Sequence, residues 1–155
     1  MKTTSFKKFT LLMLLSCFAL TSFAQTTPDE LLQRFFTEYK KTPAHAVDQI
    51  YSTNPWASRS RDAVEQMINT VNRYTVDYLG QYYGNELIVK KQLSAGFVLY
   101  SYIMKYDRQP LRFIFEFYKP NDKWMLYSMK IDGNIDDELE QAAKIYYLDL
   151  EKTKE

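Results

Sequence analysis

The feature that most constrains the fold is an alternation of side-chain character over residues 99–131. Turn-forming residues at 107–110 and 120–122 divide this stretch into three strands. Paired as hairpins, the strands place only apolar or aromatic side chains on one face, called the inner face: Tyr100, Tyr102, Met104, Tyr106, Leu111, Phe113, Phe115, Phe117, Met125, Tyr127, Met129 and Ile131. The opposite, outer face mixes charged and apolar side chains: Leu99, Ser101, Ile103, Lys105, Arg112, Ile114, Glu116, Tyr118, Trp124, Leu126, Ser128 and Lys130. A slip of one residue would exchange the faces, so this sorting predicts an antiparallel sheet in that register.

Start signals for helices precede the sheet. The segment Thr27–Glu30 combines a hydroxyl cap, a proline at the first helical position and a glutamate three residues after the cap. This capping box predicts a helix. Thr42-Pro43 repeats the start signal, and the second helix must end before Asn54-Pro55, because the residue before a proline disfavours helical geometry.

The remaining signals complete an α+β fold. A third helix, the longest, is predicted from Ser58 or Ser60 to Gly80. From Glu86 onward the residues become β-branched and aromatic, which predicts the first of four strands. The acidic tract Asp132–Glu138 precedes a helical apolar pattern and predicts a C-terminal helix. We therefore expect N-terminal helices packed on a curved four-stranded antiparallel sheet, with a C-terminal helix.

The N-terminus predicts export. Residues 1–8 carry three lysines and no acid, and a short apolar run followed by small residues comes next. This layout predicts a cleavable signal peptide over residues 1–24 and a single domain over residues 25–155. The apolar run is too short for a retained anchor, so we expect a periplasmic or secreted protein with no transmembrane anchor after cleavage. Lipidation at Cys17 is the alternative.

Charge and cysteine content exclude two classes of function. The chain has 20 basic and 19 acidic residues, and without the three lysines of the predicted signal 17 basic residues remain against 19 acidic ones. A nucleic-acid binder needs a strongly basic surface, so nucleic acid is not an expected partner. Cys17 is the only cysteine and lies in the predicted signal, which leaves no thiol for disulfides or thiolate catalysis.

Three segments carry a resemblance to a known family: Asn54-Pro55-Trp56, Lys105–Phe113 and Asp132–Glu138. Over most of residues 30–140 the chain resembles uncharacterised exported bacterial members of the NTF2-like (cystatin-like cone) superfamily. The resemblance implies helices folded against a concave sheet. Enzymes of that superfamily, such as steroid isomerases and dehydratases, use an aspartate or an Asp/His pair beside tyrosine to move protons.

The residues themselves disfavour catalysis and metal binding. His45 is the only histidine and is predicted at the surface, and the predicted inner face carries no carboxylate that could act as a general base. Asp132, Asn134 and Asp136 have the alternate spacing of a calcium loop, but the loop's glycine and its final glutamate are missing. We expect helix capping there, with no metal, no cofactor and no catalytic residue. An isomerase or dehydratase is therefore the third interpretation.

A ligand cavity is the first functional hypothesis. It places a small apolar ligand between sheet and helices, against five aromatic residues of the predicted inner face: Tyr100, Tyr102, Tyr106, Phe115 and Tyr127. The apolar walls would hold the ligand while the tyrosine hydroxyls orient it. The alternative is a filled core whose hydroxyls reach the rim, because a buried hydroxyl must find a hydrogen-bond partner.

A protein interface on the outer face is the second hypothesis. An apolar group is predicted at one end of this face: Leu99, Tyr118, Trp124 and Leu126. At the other end, Lys105, Arg112 and Lys130 lie side by side, and like charges so placed repel unless something neutralises them. This pattern favours a homodimer or an acidic partner with Trp124 as the anchor. An ordinary solvated face is the alternative.

Overall fold

The structure is a computed structural model that describes residues 26–152, with side chains described for residues 26–145. The predicted signal peptide and Cys17 lie outside the described residues. The chain forms an α+β fold, as predicted. In chain order its elements are α1 (Pro28–Tyr39), α2 (Pro43–Ser52), a 3-10 turn (Ala57–Ser60), α3 (Arg61–Asn72), α4 (Val76–Leu79), β1 (Tyr82–Ser94), β2 (Phe97–Tyr106), β3 (Leu111–Tyr118), β4 (Met125–Asp132) and α5 (Ile135–Lys152).

The predicted starts of the first two helices are confirmed. The N–H of Glu30 donates to Thr27 Oγ1 at 3.3 Å, and the N–H of Thr27 donates to Glu30 Oε2 at 2.9 Å. These two bonds form the capping box, which satisfies amide groups that have no partner inside a helix. Helix α2 begins at Pro43 and ends at Ser52, before Asn54-Pro55.

The prediction of one long third helix is wrong. The helix breaks after Asn72, and the short helix α4 begins again at Val76. Thr75 supplies a new N-cap, since the N–H of Tyr78 donates to its Oγ1 at 3.3 Å. The break allows Tyr74 to pack against the core. Gly80 ends α4 as predicted, with a φ of +84° that favours glycine.

The four strands form one antiparallel sheet in the order β1-β2-β3-β4. Helices α1 and α2 pack on its inner face through apolar residues at helical spacing, including Leu32, Phe35, Val47 and Ile50. The three phenylalanines of β3 point into this core and are completely buried: Phe113, Phe115 and Phe117. The alternation predicted for β2 and β3 is therefore confirmed.

A β-bulge in β4 reverses the predicted alternation at the start of that strand. Glu116 pairs with Ser128, but Phe117 pairs with Leu126, so Tyr127 is the extra residue. Leu126 is consequently buried in the core at 1% exposure, whereas Tyr127 is 61% exposed. The predicted placements of Leu126 on the outer face and of Tyr127 on the inner face are wrong, because an inserted residue exchanges the two faces beyond it. Met125 changes sides in the same way and pairs with Tyr118.

The turn after α2 holds the backbone at this bulge. The N–H of Leu126 donates to Thr53 Oγ1 at 3.0 Å, and its carbonyl accepts from Asn54 Nδ2 at 2.9 Å. The N–H of Trp56 donates to Asn54 Oδ1 at 2.9 Å, which fixes the orientation of the amide. Thr53 and Asn54 therefore provide hydrogen-bond partners for both backbone polar groups of Leu126 on the edge strand β4.

Candidate functional site

Aromatic rings fill the inner face where the sheet meets α1. The ring centroid of Phe115 lies 5.0 Å from that of Phe35, and the ring of Tyr102 lies 4.7 Å from that of Phe36. Tyr39 contacts Phe113 in the same edge-to-face manner at 5.4 Å. These distances are those of packed aromatic pairs, so α1 covers this part of the inner face directly.

Four of the five residues predicted to line a ligand cavity lie on the inner face. Tyr100 and Phe115 are buried, at 1% and 0% exposure, and Tyr102 and Tyr106 are partly buried against the same core. Tyr127 is not with them, since the bulge moves it to the outer face. The observed contacts of these residues are with other side chains, so the ligand cavity remains a prediction.

Three tyrosine hydroxyls, those of Tyr39, Tyr82 and Tyr106, are hydrogen-bonded inside the protein. The hydroxyls of Tyr39 and Tyr106 lie 2.9 Å apart, and that of Tyr82 donates to Asn85 Oδ1 at 3.2 Å. Burial raises the pKa of Tyr39 far above its ordinary value, and burial also raises the pKa of Tyr82. In residues 26–145, no buried side-chain nitrogen or oxygen lacks a hydrogen-bond partner. These phenols stay protonated at neutral pH and are poor candidates for a general base.

A partly buried ion-pair network lies on the outer face. Arg112 donates to both oxygens of Asp132 at 3.0 Å, and its Nη1 donates to Glu138 of α5 at 2.9 Å. The hydroxyl of Ser101 donates to the same carboxylate at 3.1 Å. The hydrogen bonds that Arg112 donates to Asp132 raise the pKa of Arg112. Partial burial opposes ionisation of Asp132. The hydrogen bonds from Arg112 and from the N–H of Asn134, together with the charges of Arg112 and Lys130, outweigh it, so the pKa of Asp132 is lowered.

This network changes the interpretation of the three predicted cations. Arg112 is neutralised within the chain by Asp132 and Glu138, and Lys105 forms a salt bridge with Glu86. Among the residues that the structure describes, Lys130 has no salt-bridge partner, and it is exposed. The mutual repulsion that favoured an acidic partner is therefore relieved mainly by acids of the protein itself.

The first turns of α5 lie against the outer face. Asp137, Glu138 and Gln141 line one side of a groove of about 310 Å³ whose floor includes Leu99 and Ile114. The contact side of this helix is polar. Two apolar side chains, Leu139 at 68% and Ile145 at 61%, are exposed instead. Leu139 is thus exposed on a different side of the helix from Glu138, whereas Ile145 lies about two turns after Glu138 on the same side.

A second exposed group, which we call the aromatic patch, consists of Phe97, Tyr118 and Tyr127 on the outer face. The ring of Phe97 lies 5.5 Å from that of Tyr127 and 6.2 Å from that of Tyr118. Tyr118 is 39% exposed and Tyr127 is 61% exposed. Leu93, at 82% exposure, comes from the neighbouring end of β1.

Two residues predicted as the apolar part of an interface do not serve that purpose. Leu126 is in the core, and Trp124 is partly buried and packs against it, with Lys119 Nζ 5.2 Å from its ring. Leu99 and Tyr118 remain on the outer face, as predicted. Tyr127 was predicted on the wrong face because the alternation alone carries no signal for a bulge. Phe97 was missed because the predicted alternation began only at Leu99.

Comparison with known proteins does not assign this arrangement to a family. No protein-family model, no curated protein and no solved structure matches the chain. The resemblance to NTF2-like proteins therefore stays a prediction based on the order of elements and on three short motifs.

Two further properties bear on the site. Within residues 26–152 no helix combines the length and apolar character needed to cross a membrane. His45 lies on the surface as predicted, with a 53% exposed side chain, and its Nδ1 is 2.9 Å from Glu38 Oε1. This histidine belongs to a pair between α1 and α2 that is far from the outer face in the fold.

Proposed function

We propose that the protein is an exported, non-catalytic binding domain whose binding surface is the outer face of the sheet together with α5, and that its partner is a protein. The export step rests on the signal pattern of residues 1–24. The binding function rests on the contrast between a covered inner face and an outer face with exposed apolar side chains.

The single observation that carries this proposal is the exposure of the aromatic patch. Tyrosine and phenylalanine rings are large and stiff, so they contribute much contact area at a small cost in side-chain entropy. Exposed apolar groups clustered on one face and bordered by charges are typical of protein interaction sites. Phe97, Tyr118 and Tyr127 form such a group, with the exposed Lys130 on the same strand as Tyr127.

Site-specific photocrosslinking tests this proposal. A photoreactive residue is placed at position 118 or 127 in the full chain, and the matched control carries it at the exposed position Gln66 on α3. We expect protein adducts from positions 118 and 127 on irradiation in cells, and none from position 66. Equal labelling at all three positions, or no protein adduct at 118 and 127, would contradict the proposal.

A further inference from the structure

We infer that the protein has a second binding site, which takes a neutral sugar in a pocket beside Trp56. The pocket measures about 330 Å³ and lies between the turn after α2 and the turn that joins β3 to β4. Four of its lining residues are apolar: Pro55, Trp56, Pro120 and Met125. None of the described residues that line it belongs to the aromatic patch, so the inference goes beyond the proposed function.

The indole ring of Trp56 is the largest apolar surface that the pocket offers to a ligand. The side chain is 58% exposed, and Arg59 Cζ lies 4.4 Å from the ring centroid. The backbone that carries the ring is fixed to the sheet, because the N–H of Trp56 donates to Asn54 Oδ1 and Asn54 Nδ2 donates to the carbonyl of Leu126. An aromatic ring held in this way loses little freedom when a ligand stacks on it.

Three polar side chains line the same pocket. Asn121, Asp122 and Lys123 follow one another in the turn between β3 and β4, and all three are exposed. Among the residues that the structure describes, neither Asp122 nor Lys123 forms a salt bridge. The three side chains offer a carboxylate that accepts hydrogen bonds, an ammonium group that donates them and an amide that does both. The pocket therefore combines an apolar wall with donors and acceptors for a ligand.

The charges at the pocket favour a neutral ligand. Its lining holds one carboxylate, Asp122, and one ammonium group, Lys123, so their charges balance. The guanidinium of Arg59 already makes the cation–π contact that Trp56 would otherwise offer to a cationic ligand. A wholly apolar ligand would remove water from Asp122 and Lys123 without replacing its hydrogen bonds, which is unfavourable. The ligand that fits is uncharged, with an apolar side and several hydroxyl groups.

A pyranose sugar has these properties. In the β-gluco configuration every hydroxyl is equatorial, so both faces of the ring present C–H groups. These groups carry a small positive charge and pack on the negative face of an indole ring such as that of Trp56. The hydroxyls at the edge of the sugar then meet the polar groups of Asp122 and Lys123. A volume of about 330 Å³ is at the small end of the range for ligand pockets, which suits a mono- or disaccharide.

Fluorescence titration of the full-length protein with cellobiose tests the inference. The chain has two tryptophans, so Trp124→Phe leaves Trp56 as the only one and its emission reports on this pocket. We expect cellobiose to change that emission saturably at millimolar concentrations, because a shallow site with few hydrogen bonds binds weakly. Sorbitol is the matched control, since it has hydroxyl groups but no ring to stack, and it should cause no saturable change. No response to cellobiose, or an equal response to sorbitol, would overturn the inference.

Saturation-transfer NMR locates the bound sugar without the Trp124→Phe change. With the unchanged protein, saturation should pass to the ring C–H protons of cellobiose. Trp56→Ala should abolish this transfer, and Asp122→Ala should weaken binding about fivefold through the loss of a hydrogen bond. The matched control, Tyr78→Ala, removes a ring of similar exposure (61%) from α4 and should leave the transfer unchanged. Transfer that survives Trp56→Ala, or that Tyr78→Ala reduces as much, would overturn the inference.

Discussion

The two faces of the sheet are built from the same strands but differ in the contacts that their side chains make. On the inner face, rings from β2 and β3 meet rings from α1 at 4.7 to 5.4 Å, and Phe115 is completely buried. On the outer face, a three-residue ion-pair network lies at the end where β3 begins and β4 ends, and the aromatic patch is exposed at the opposite end. The inner face therefore supplies the stability of the fold, while the outer face is available for binding.

The comparison shows that apolar composition alone does not identify a core. Tyr127 and Leu126 are neighbours on the same strand, yet one is 61% exposed and the other 1%. The difference comes from the bulge, which directs Leu126 towards Phe117. A side chain contributes to stability through the area it buries, so these two residues should respond very differently to truncation.

Truncation at the bulge should give the largest effect. Leu126→Ala removes a buried side chain and leaves a cavity, so we expect a loss of about 2 to 5 kcal/mol in the free energy of unfolding. Tyr127→Ala is the matched control and should lose less than about 1 kcal/mol. Urea denaturation of both variants measures the difference. Equal losses of unfolding free energy in the two variants would show that Tyr127 is as buried as Leu126, which would contradict the contrast between the faces.

Loss of the arginine on the outer face should have an intermediate effect. Arg112→Met keeps much of the apolar stem but leaves Asp132 and Glu138 without their partner, which should cost about 1 to 3 kcal/mol. Adding Asp132→Asn should recover part of that loss, since it removes one unpaired charge. Denaturation of the single and double variants forms the test. If the double variant lost as much free energy of unfolding as the two single variants together, the two side chains would not interact.

The smallest expected effect is the change with pH in the stability that the Arg112–Asp132 pair contributes. The pKa of Asp132 is lower in the folded protein, so the unfolded chain binds the proton more readily. Its stabilising contribution is present above the ordinary carboxyl pKa of about 3.9 and is lost as the pH falls through the folded value. We expect less than about 1 kcal/mol, because the carboxylate is partly exposed. Urea denaturation at pH values between about 6 and about 3 should show that the free energy of unfolding of Asp132→Asn declines less steeply with falling pH than that of the unchanged protein. Identical slopes for the two proteins would contradict this prediction.

Much of the fold was accessible from local patterns. The capping box at Thr27–Glu30, the start at Pro43 and the four strands follow from short-range signals, and the structure confirms them. The break after Asn72 was missed, although Thr75 is a hydroxyl residue of the kind that caps helices. For the candidate site, Leu99 and Tyr118 were placed correctly, whereas Trp124, Leu126 and Tyr127 were not.

The amino-acid sequence by itself determined the class of the fold and the identity of the inner face on β2 and β3. It could do so because alternation with a period of two is a property of each strand alone. The register at the start of β4 and the neutralisation of Arg112 were decided only in the tertiary structure. Both depend on residues distant in the chain: Thr53 and Asn54 hold the backbone of Leu126, and Glu138 reaches Arg112 from α5. Contacts of this kind arise only when separate elements pack together.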